Sequence, residues 1–85
     1  MAILIKEDGT ETKVKPANGK TFSLRELQLF VGGYIEQIII PDGRKMIVNE
    51  EGKIKGYNLN TKASTLSTNF DIFGDVIIVD DNEVN

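Results

Sequence analysis

Cysteine, histidine and tryptophan are missing from the 85 residues, and proline occurs only twice. Without cysteine the chain has no disulfide bond, no thiol nucleophile and no cysteine-ligated zinc. Without histidine it lacks the side chain that most often transfers protons near neutral pH and most often binds transition metals. These absences argue against an enzyme, and we expect a domain that uses no metal and no cofactor.

Basic residues are also fewer than acidic ones. Ten basic residues stand against thirteen acidic ones, which gives a net charge of -3, so direct binding to nucleic acid is not expected. No apolar run approaches the roughly 20 residues that a membrane-spanning helix needs. The length suits one small domain, residues 1–85. We therefore expect a single cytoplasmic domain.

The N-terminal half contains clear strand and helix signals. Ala2 to Ile5 is apolar and predicts a strand, and a turn at Asp8-Gly9 lets residues 10–14 return as its partner. Ser23-Leu-Arg-Glu26 has the pattern of a capping box and predicts that a helix begins there. Gly32-Gly33 ends that helix, because glycine readily adopts the left-handed backbone conformation.

A second hairpin is predicted in the middle of the chain. Tyr34 to Ile40 is rich in β-branched residues, Pro41-Asp42-Gly43 is a turn, and Lys45 to Val48 returns as the partner strand.

The remainder of the chain is less regular. Residues 54–59 fit an edge strand or an extended connection, and Asn60 or Thr61 could cap a short helix within 60–69. Val76 to Val79 are four consecutive β-branched residues, which suits a strand covered on both faces. We expect residues 79–85 to form a frayed acidic tail. The whole pattern predicts an α+β domain in β-β-α-β-β-β order, with a mainly antiparallel sheet covered by one short helix.

Two segments at the same end of the middle hairpin are candidates for ligand binding. Tyr34 could stack on a base, and the adjacent glycines could offer backbone N–H groups. Asn49 and Glu50 could recognise polar edges of a ligand, and the lysines that follow could contact phosphate. A helix end and an ordinary surface turn explain the same residues without a ligand. The candidate residues are Gly32, Gly33, Tyr34, Glu36, Asn49, Glu50, Glu51, Lys53, Lys55 and Asn60.

The acidic C-terminal part suggests an alternative. Residues 57–85 contain one basic and five acidic side chains, a balance of -4. Such a surface could bind a host protein by imitating the charge of DNA. The acidic residues in question are Asp71, Asp75, Asp80 and Asp81, and their spacing does not match a calcium-binding loop.

Several of these segments resemble the DUF3846 family of small domains of undefined function, which are encoded by phages, plasmids and other mobile elements. The resemblance rests on Leu27-Gln28, Val31-Gly-Gly-Tyr-Ile-Glu36, Asn49-Glu-Glu-Gly-Lys53, Asn58-Leu-Asn60 and Phe73-Gly-Asp-Val-Ile-Ile-Val79. It covers residues 23–79 and leaves the N-terminal hairpin unaligned. The family implies a mobile-element setting and names no activity.

The combined interpretation is a non-catalytic accessory protein, acting as a homo-oligomer, that binds a small nucleotide-like ligand and thereby sequesters a host defence signal. Two alternatives stay open. One is the acidic protein-interaction module that inhibits a host protein, and the other is a minor structural or assembly component.

Overall fold

The computed structural model describes residues 1–68 and 70–84. The elements follow the order β-β-α-β-β-α-β. The predicted α+β class with an antiparallel sheet is confirmed. The elements are β1 (Ala2–Ile5), β2 (Glu11–Val14), α1 (Leu24–Val31), β3 (Ile35–Ile39), β4 (Lys45–Asn49), α2 (Thr61–Ser67), β5 (Val76–Val79) and a closing 3₁₀ turn (Asp81–Glu83).

The five strands form one sheet in the spatial order β2-β1-β5-β4-β3, and every neighbouring pair is antiparallel. The last strand of the chain therefore lies in the middle of the sheet. All four residues of β5 are buried, as the run of β-branched residues predicted. Alternate side chains of this strand enter the cores on the two faces of the sheet.

Each face of the sheet carries its own apolar core. On one face, Leu27 and Val31 of α1 pack against Ile47 and Ile77. On the opposite face, Ala63 of α2 lies in a second cluster. The prediction of one covering helix was therefore incomplete. The buried members of this second cluster are Ile5, Ile40, Met46, Val48, Ala63, Ile72, Val76 and Ile78.

The ends of α1 are as predicted. Ser23 Oγ accepts a hydrogen bond from the Glu26 N–H at 3.1 Å, and a Glu26 carboxylate oxygen accepts from the Ser23 N–H at 2.9 Å. At the other end Gly32 has φ of 85°, and its N–H donates to the Gln28 carbonyl. The helix is thus closed at both ends by local hydrogen bonds, which fixes where β3 can begin.

The short second helix is capped by Asn60, which is one of the two residues predicted for this position. Asn60 Oδ1 accepts from the Ala63 N–H at 3.0 Å. Residues 54–59 do not form an edge strand. The chain turns through residues 54–56, and Leu59 makes one isolated bridge to Phe73. Asn69, at the end of the predicted 60–69 segment, lies outside the described residues.

The C-terminal segment is packed against the domain, so the predicted fraying is not seen over residues 80–84. Val84 is 8% exposed and belongs to the core beneath α1. The Glu83 carbonyl accepts a hydrogen bond from the Phe22 N–H at 2.8 Å. Burial of the Val84 side chain and the hydrogen bond to the Glu83 carbonyl both hold the segment against the domain. Asn85 lies outside the described residues.

No helix among the described residues is long and apolar enough to cross a membrane.

Candidate functional site

The two segments singled out by sequence lie together at one end of the β3–β4 hairpin. The Glu50 N–H donates to the Tyr34 carbonyl at 2.9 Å. Asn49 Nδ2 donates to the Val31 carbonyl, the last residue of α1, at 3.0 Å. The helix end, the start of β3 and the end of β4 are therefore joined by hydrogen bonds.

Asn49 holds this junction together and is 5% exposed. Besides the bond to Val31, its Oδ1 accepts from the Glu51 N–H at 2.7 Å, which forms the tight turn after β4. Both ends of the amide are used inside the fold. Asn49 therefore positions the loop, and its amide is not free to recognise a ligand in this conformation.

The paired glycines also serve the fold. The N–H groups of Gly32 and Gly33 both donate to the Gln28 carbonyl, at 2.8 and 3.0 Å. The expectation that these N–H groups face a ligand is therefore corrected. A Cβ on Gly33 would lie 2.7 Å from Lys55 Nζ and 3.2 Å from Asn49 Nδ2. The Lys55 ammonium group ends a flexible side chain and can move away, whereas Asn49 is held by its hydrogen bond to Val31, so Asn49 is the group that restricts a side chain at position 33.

Asn60 is not available to a ligand either. Its side chain has no exposed surface, and Nδ2 donates to the carbonyls of Ile5 and Gly74 at 3.0 and 2.9 Å. With the cap to Ala63, the amide joins β1, α2 and the entry to β5. A buried amide needs partners of this kind, and here all of them come from the backbone.

Of the remaining candidates, all but Glu51 have exposed side chains. Tyr34 is 66% exposed, and Glu36, Glu50, Lys53 and Lys55 are also at the surface. Of these, Lys55 is partly engaged, because its Nζ lies 3.4 Å from the Gly32 carbonyl. Glu51 is half-buried beside the turn that Asn49 holds.

An open groove of about 440 Å³ lies beside this junction, between β3 and residues 70–73. Its floor contains Ile38 and Val48, which belong to neighbouring strands, together with Ile72. The groove exists because α2 and residues 70–73 do not fill the space above β3. Ile38 is consequently only half-buried, although it packs against the second core.

Aromatic and charged side chains border the groove. Phe70, which is 55% exposed, and Phe73 lie on the side formed by residues 70–73. Three carboxylates and one ammonium group line the same space. Among the described lining residues Lys53 is the one basic side chain, so the groove has a local charge balance of -2. The carboxylates belong to Glu36, Glu50 and Asp71.

Only some of the candidate residues predicted from the sequence therefore line the groove. Glu36, Asn49, Glu50 and Lys53 line it, whereas Gly32, Gly33, Tyr34, Glu51, Lys55 and Asn60 are not among its lining residues. Sequence reasoning missed Phe70 and Phe73, and it assigned Asp71 to the acidic alternative surface and not to this groove. Two phenylalanines in a chain with four are a weak signal, and only the crossing of residues 70–73 over the sheet brings them opposite β3.

The acidic residues near the C-terminus do not form one continuous surface. Asp80 lies 2.6 Å from the N-terminal amine, and Asp81 lies 2.9 Å from Lys45 Nζ. Asp75 accepts a hydrogen bond from the Glu7 N–H at 3.0 Å. Only Asp71 of the four lines the groove. Within residues 1–68 and 70–84, no three acidic groups are close enough to hold a metal ion.

Fold and groove together define a small α+β domain with a helix on each face of a five-stranded sheet and an open groove at one sheet edge. The chain belongs to the family described as domain of unknown function DUF3846, whose model matches residues 1–85. The match includes the N-terminal hairpin that the sequence resemblance left unaligned. No curated protein and no solved structure has significant similarity to the chain.

Proposed function

We propose that this domain is a non-catalytic binding protein that holds a small nucleotide-like ligand in the groove between β3 and residues 70–73. The observation that carries the proposal is the groove itself, which combines an apolar floor, an exposed phenylalanine and a few charged groups. Its volume of about 440 Å³ falls within the range typical of small-molecule sites.

The base of the ligand is assigned to the aromatic side of the groove. More than half of the Phe70 surface is exposed, so its ring is accessible to a ligand. Stacking of a base on such a ring contributes about 1–3 kcal/mol. Ile38 and Val48 supply an apolar surface beneath the ring of the ligand.

The polar groups of the groove suit the remainder of a nucleotide. Glu36, Glu50 and Asp71 can accept hydrogen bonds from amino groups of a base or hydroxyl groups of a ribose. Lys53 can donate to a phosphate oxygen. Because carboxylates outnumber lysine three to one here, the groove favours a nucleoside or a monophosphate over a ligand with several phosphates.

The absence of histidine and cysteine from the sequence supports binding without conversion of the ligand. In the mobile-element setting that the family resemblance implies, such a domain acts by sequestering a host signal. The acidic host-protein inhibitor is the less favoured function, because Asp80 and Asp81 are engaged with positive groups of the same chain.

Titration of the ¹⁵N-labelled protein with adenosine, AMP and ATP tests the proposal. We expect amide shifts in β3, at Val48 and around Phe70, with AMP bound more tightly than ATP. Phe70→Ala should weaken AMP binding about 5-fold or more, as loss of a stacking platform implies. Lys53→Gln should weaken AMP binding and leave adenosine binding unchanged.

Tyr34→Ala is the matched control, since it removes a similarly exposed aromatic ring outside the groove. It should leave AMP affinity unchanged. Equal losses of AMP affinity in Tyr34→Ala and Phe70→Ala would contradict a site confined to the groove and would extend it to the junction of α1, β3 and β4. The nucleotide assignment is wrong if adenosine, AMP and ATP produce no amide shifts at millimolar concentration and the corresponding guanosine, cytidine and uridine compounds produce none either.

A further inference from the structure

The outer edge of β3 presents unpaired backbone groups. Hydrogen bonds from Glu50 to the Tyr34 carbonyl and from Ile40 to the Arg44 carbonyl show that the even-numbered residues direct their backbone groups toward β4. In an antiparallel pair this orientation alternates along the strand. The N–H and C=O groups of Ile35, Gln37 and Ile39 therefore point away from the sheet, and no described residue pairs with them.

The two edges of the sheet differ in how they are protected. On β2, Glu11 and Lys13 are exposed at the outer edge, and Lys62 forms an ion pair with Glu11. Charged residues, lysine above all, discourage an edge strand from pairing with another chain. The five residues of β3 contain no lysine, arginine or proline, and Ile39 is 74% exposed. This edge is suited to strand addition.

We infer that β3 pairs with β3 of a second copy of this chain, antiparallel and centred on Gln37. In that register Gln37 faces the partner's Gln37, and Ile35 faces the partner's Ile39. Facing residues whose backbone groups point at one another exchange both N–H···O bonds. All outward-pointing N–H and C=O groups of the three odd-numbered residues in each copy are thereby satisfied.

Side-chain charge favours this register over the one centred on Glu36. Centring on Gln37 places Glu36 opposite the partner's Ile38, so the two Glu36 residues are diagonal neighbours whose Cα atoms are roughly 7–8 Å apart. Centring on Glu36 would put the two carboxylates directly opposite one another. It would also place Ile39 opposite the partner's Gly33, whose N–H is already used within its own chain. The register centred on Gln37 also brings the exposed Ile39 against an isoleucine.

The pairing has a consequence for the groove. An antiparallel pair related by a two-fold axis perpendicular to the sheet keeps equivalent faces on the same side. The grooves of the two copies, each running beside β3, would then adjoin and form one trough on a ten-stranded sheet. Two five-residue strands make an interface below the roughly 1,200 Å² of stable complexes, so the dimer should depend on protein concentration.

Single-cysteine variants test the register directly, because the chain has no cysteine of its own. Facing residues of a hydrogen-bonded pair have Cα atoms about 5.5 Å apart, within reach of a disulfide bond. Gln37→Cys should therefore form a disulfide-linked dimer under mild oxidation. Lys13→Cys, at an outward position of the other edge strand, is the matched control and should cross-link far more slowly.

Sedimentation equilibrium supplies the second measurement. The wild-type protein and Gln37→Ala, which keeps the backbone N–H, should dimerise with increasing concentration. Gln37→Pro removes that N–H at an edge where proline is tolerated and should stay monomeric, with circular dichroism checking its fold. A wild-type protein that is monomeric throughout, or equal cross-linking at positions 13 and 37, would overturn the inference. Phe70→Ala should dimerise normally, so this result is independent of nucleotide binding.

Discussion

Replacing Asn60 tests the assignment of this residue to the fold and not to a ligand. The side chain is completely buried. Its amide donates to the carbonyls of Ile5 and Gly74 and accepts from the Ala63 N–H, all within 3.0 Å. Asn60→Ala would leave two carbonyl groups and one N–H without their partner in the interior. These groups belong to β1, α2 and the entry to β5, so the lost hydrogen bonds destabilise three elements.

The expected cost follows from the number of orphaned groups. Each buried polar group that loses its partner costs about 1–3 kcal/mol, so three groups cost at least about 3 kcal/mol. A domain of 85 residues has a total unfolding free energy of about 4 to 13 kcal/mol. The substitution therefore removes a large part of the stability, and it should lower Tm by roughly 12 to 24 °C at that cost.

Urea unfolding monitored by circular dichroism measures this change. Two further variants separate the contribution of the helix cap from that of the hydrogen bonds to the two carbonyl groups. Asn60→Ser keeps an oxygen that can cap α2, so it should be less destabilising than Asn60→Ala. Asn60→Asp keeps the cap but directs a carboxylate at two carbonyl groups, so it should be at least as destabilising as Asn60→Ala at neutral pH. Asn82→Ala, at an exposed position, is the control. A loss below about 1 kcal/mol in Asn60→Ala would refute the reasoning.

Two further predictions concern α1. Gly32→Ala should lower the unfolding free energy by about 1–3 kcal/mol in a urea titration, because φ is 85° and a Cβ would lie 2.9 Å from the Tyr57 hydroxyl. If Gly32→Ala is as stable as wild type, the helix does not end as described. N–H groups of Ser23 and Ala17 donate to the Glu26 carboxylate and hold its pKa below the ordinary 4.5. This stabilisation is present above pH 4.5 and is lost as the pH falls through the lower folded-state pKa, so acid should reduce wild-type stability more than that of Glu26→Gln. Parallel pH profiles would contradict this.

Local signals in the sequence were sufficient for most of the elements. The capping box at Ser23 and the glycine at position 32 define α1 because both act through hydrogen bonds within one turn of the helix. The four β-branched residues from Val76 to Val79 indicated a doubly covered strand because no polar side chain interrupts them. These features depend on neighbours in sequence and need no knowledge of the tertiary structure.

Long-range placement could not be predicted in the same way. Nothing local indicates that β5 inserts between β1 and β4, or that residues 70–73 cross the sheet opposite β3. Val84 was assigned to a frayed tail because its neighbours are acidic, yet it enters the core under α1. Phe70 was overlooked for a related reason, since its importance depends on what lies across the groove and not on its neighbours in the chain.

The size of the helices explains why the groove and the free edge occur at the same place. A helix about 10 Å across spans roughly two strands at a spacing of about 4.8 Å, whereas this sheet has five strands. With α2 on the second face, Ile38 of β3, at the end of the sheet, is only half-buried.

The buried polar side chains support the same division between structure and binding. Asn49, Asn60 and Ser67 are the buried polar residues of the described chain, and no buried side-chain nitrogen or oxygen there lacks a hydrogen-bond partner. None of these buried groups therefore requires a ligand to complete its bonding. Any ligand must be recognised by exposed groups, and the largest exposed ring beside the groove is that of Phe70. The conspicuous asparagines and glycines of the sequence build the junction, while the less conspicuous phenylalanine and the backbone edge of β3 are exposed to other molecules.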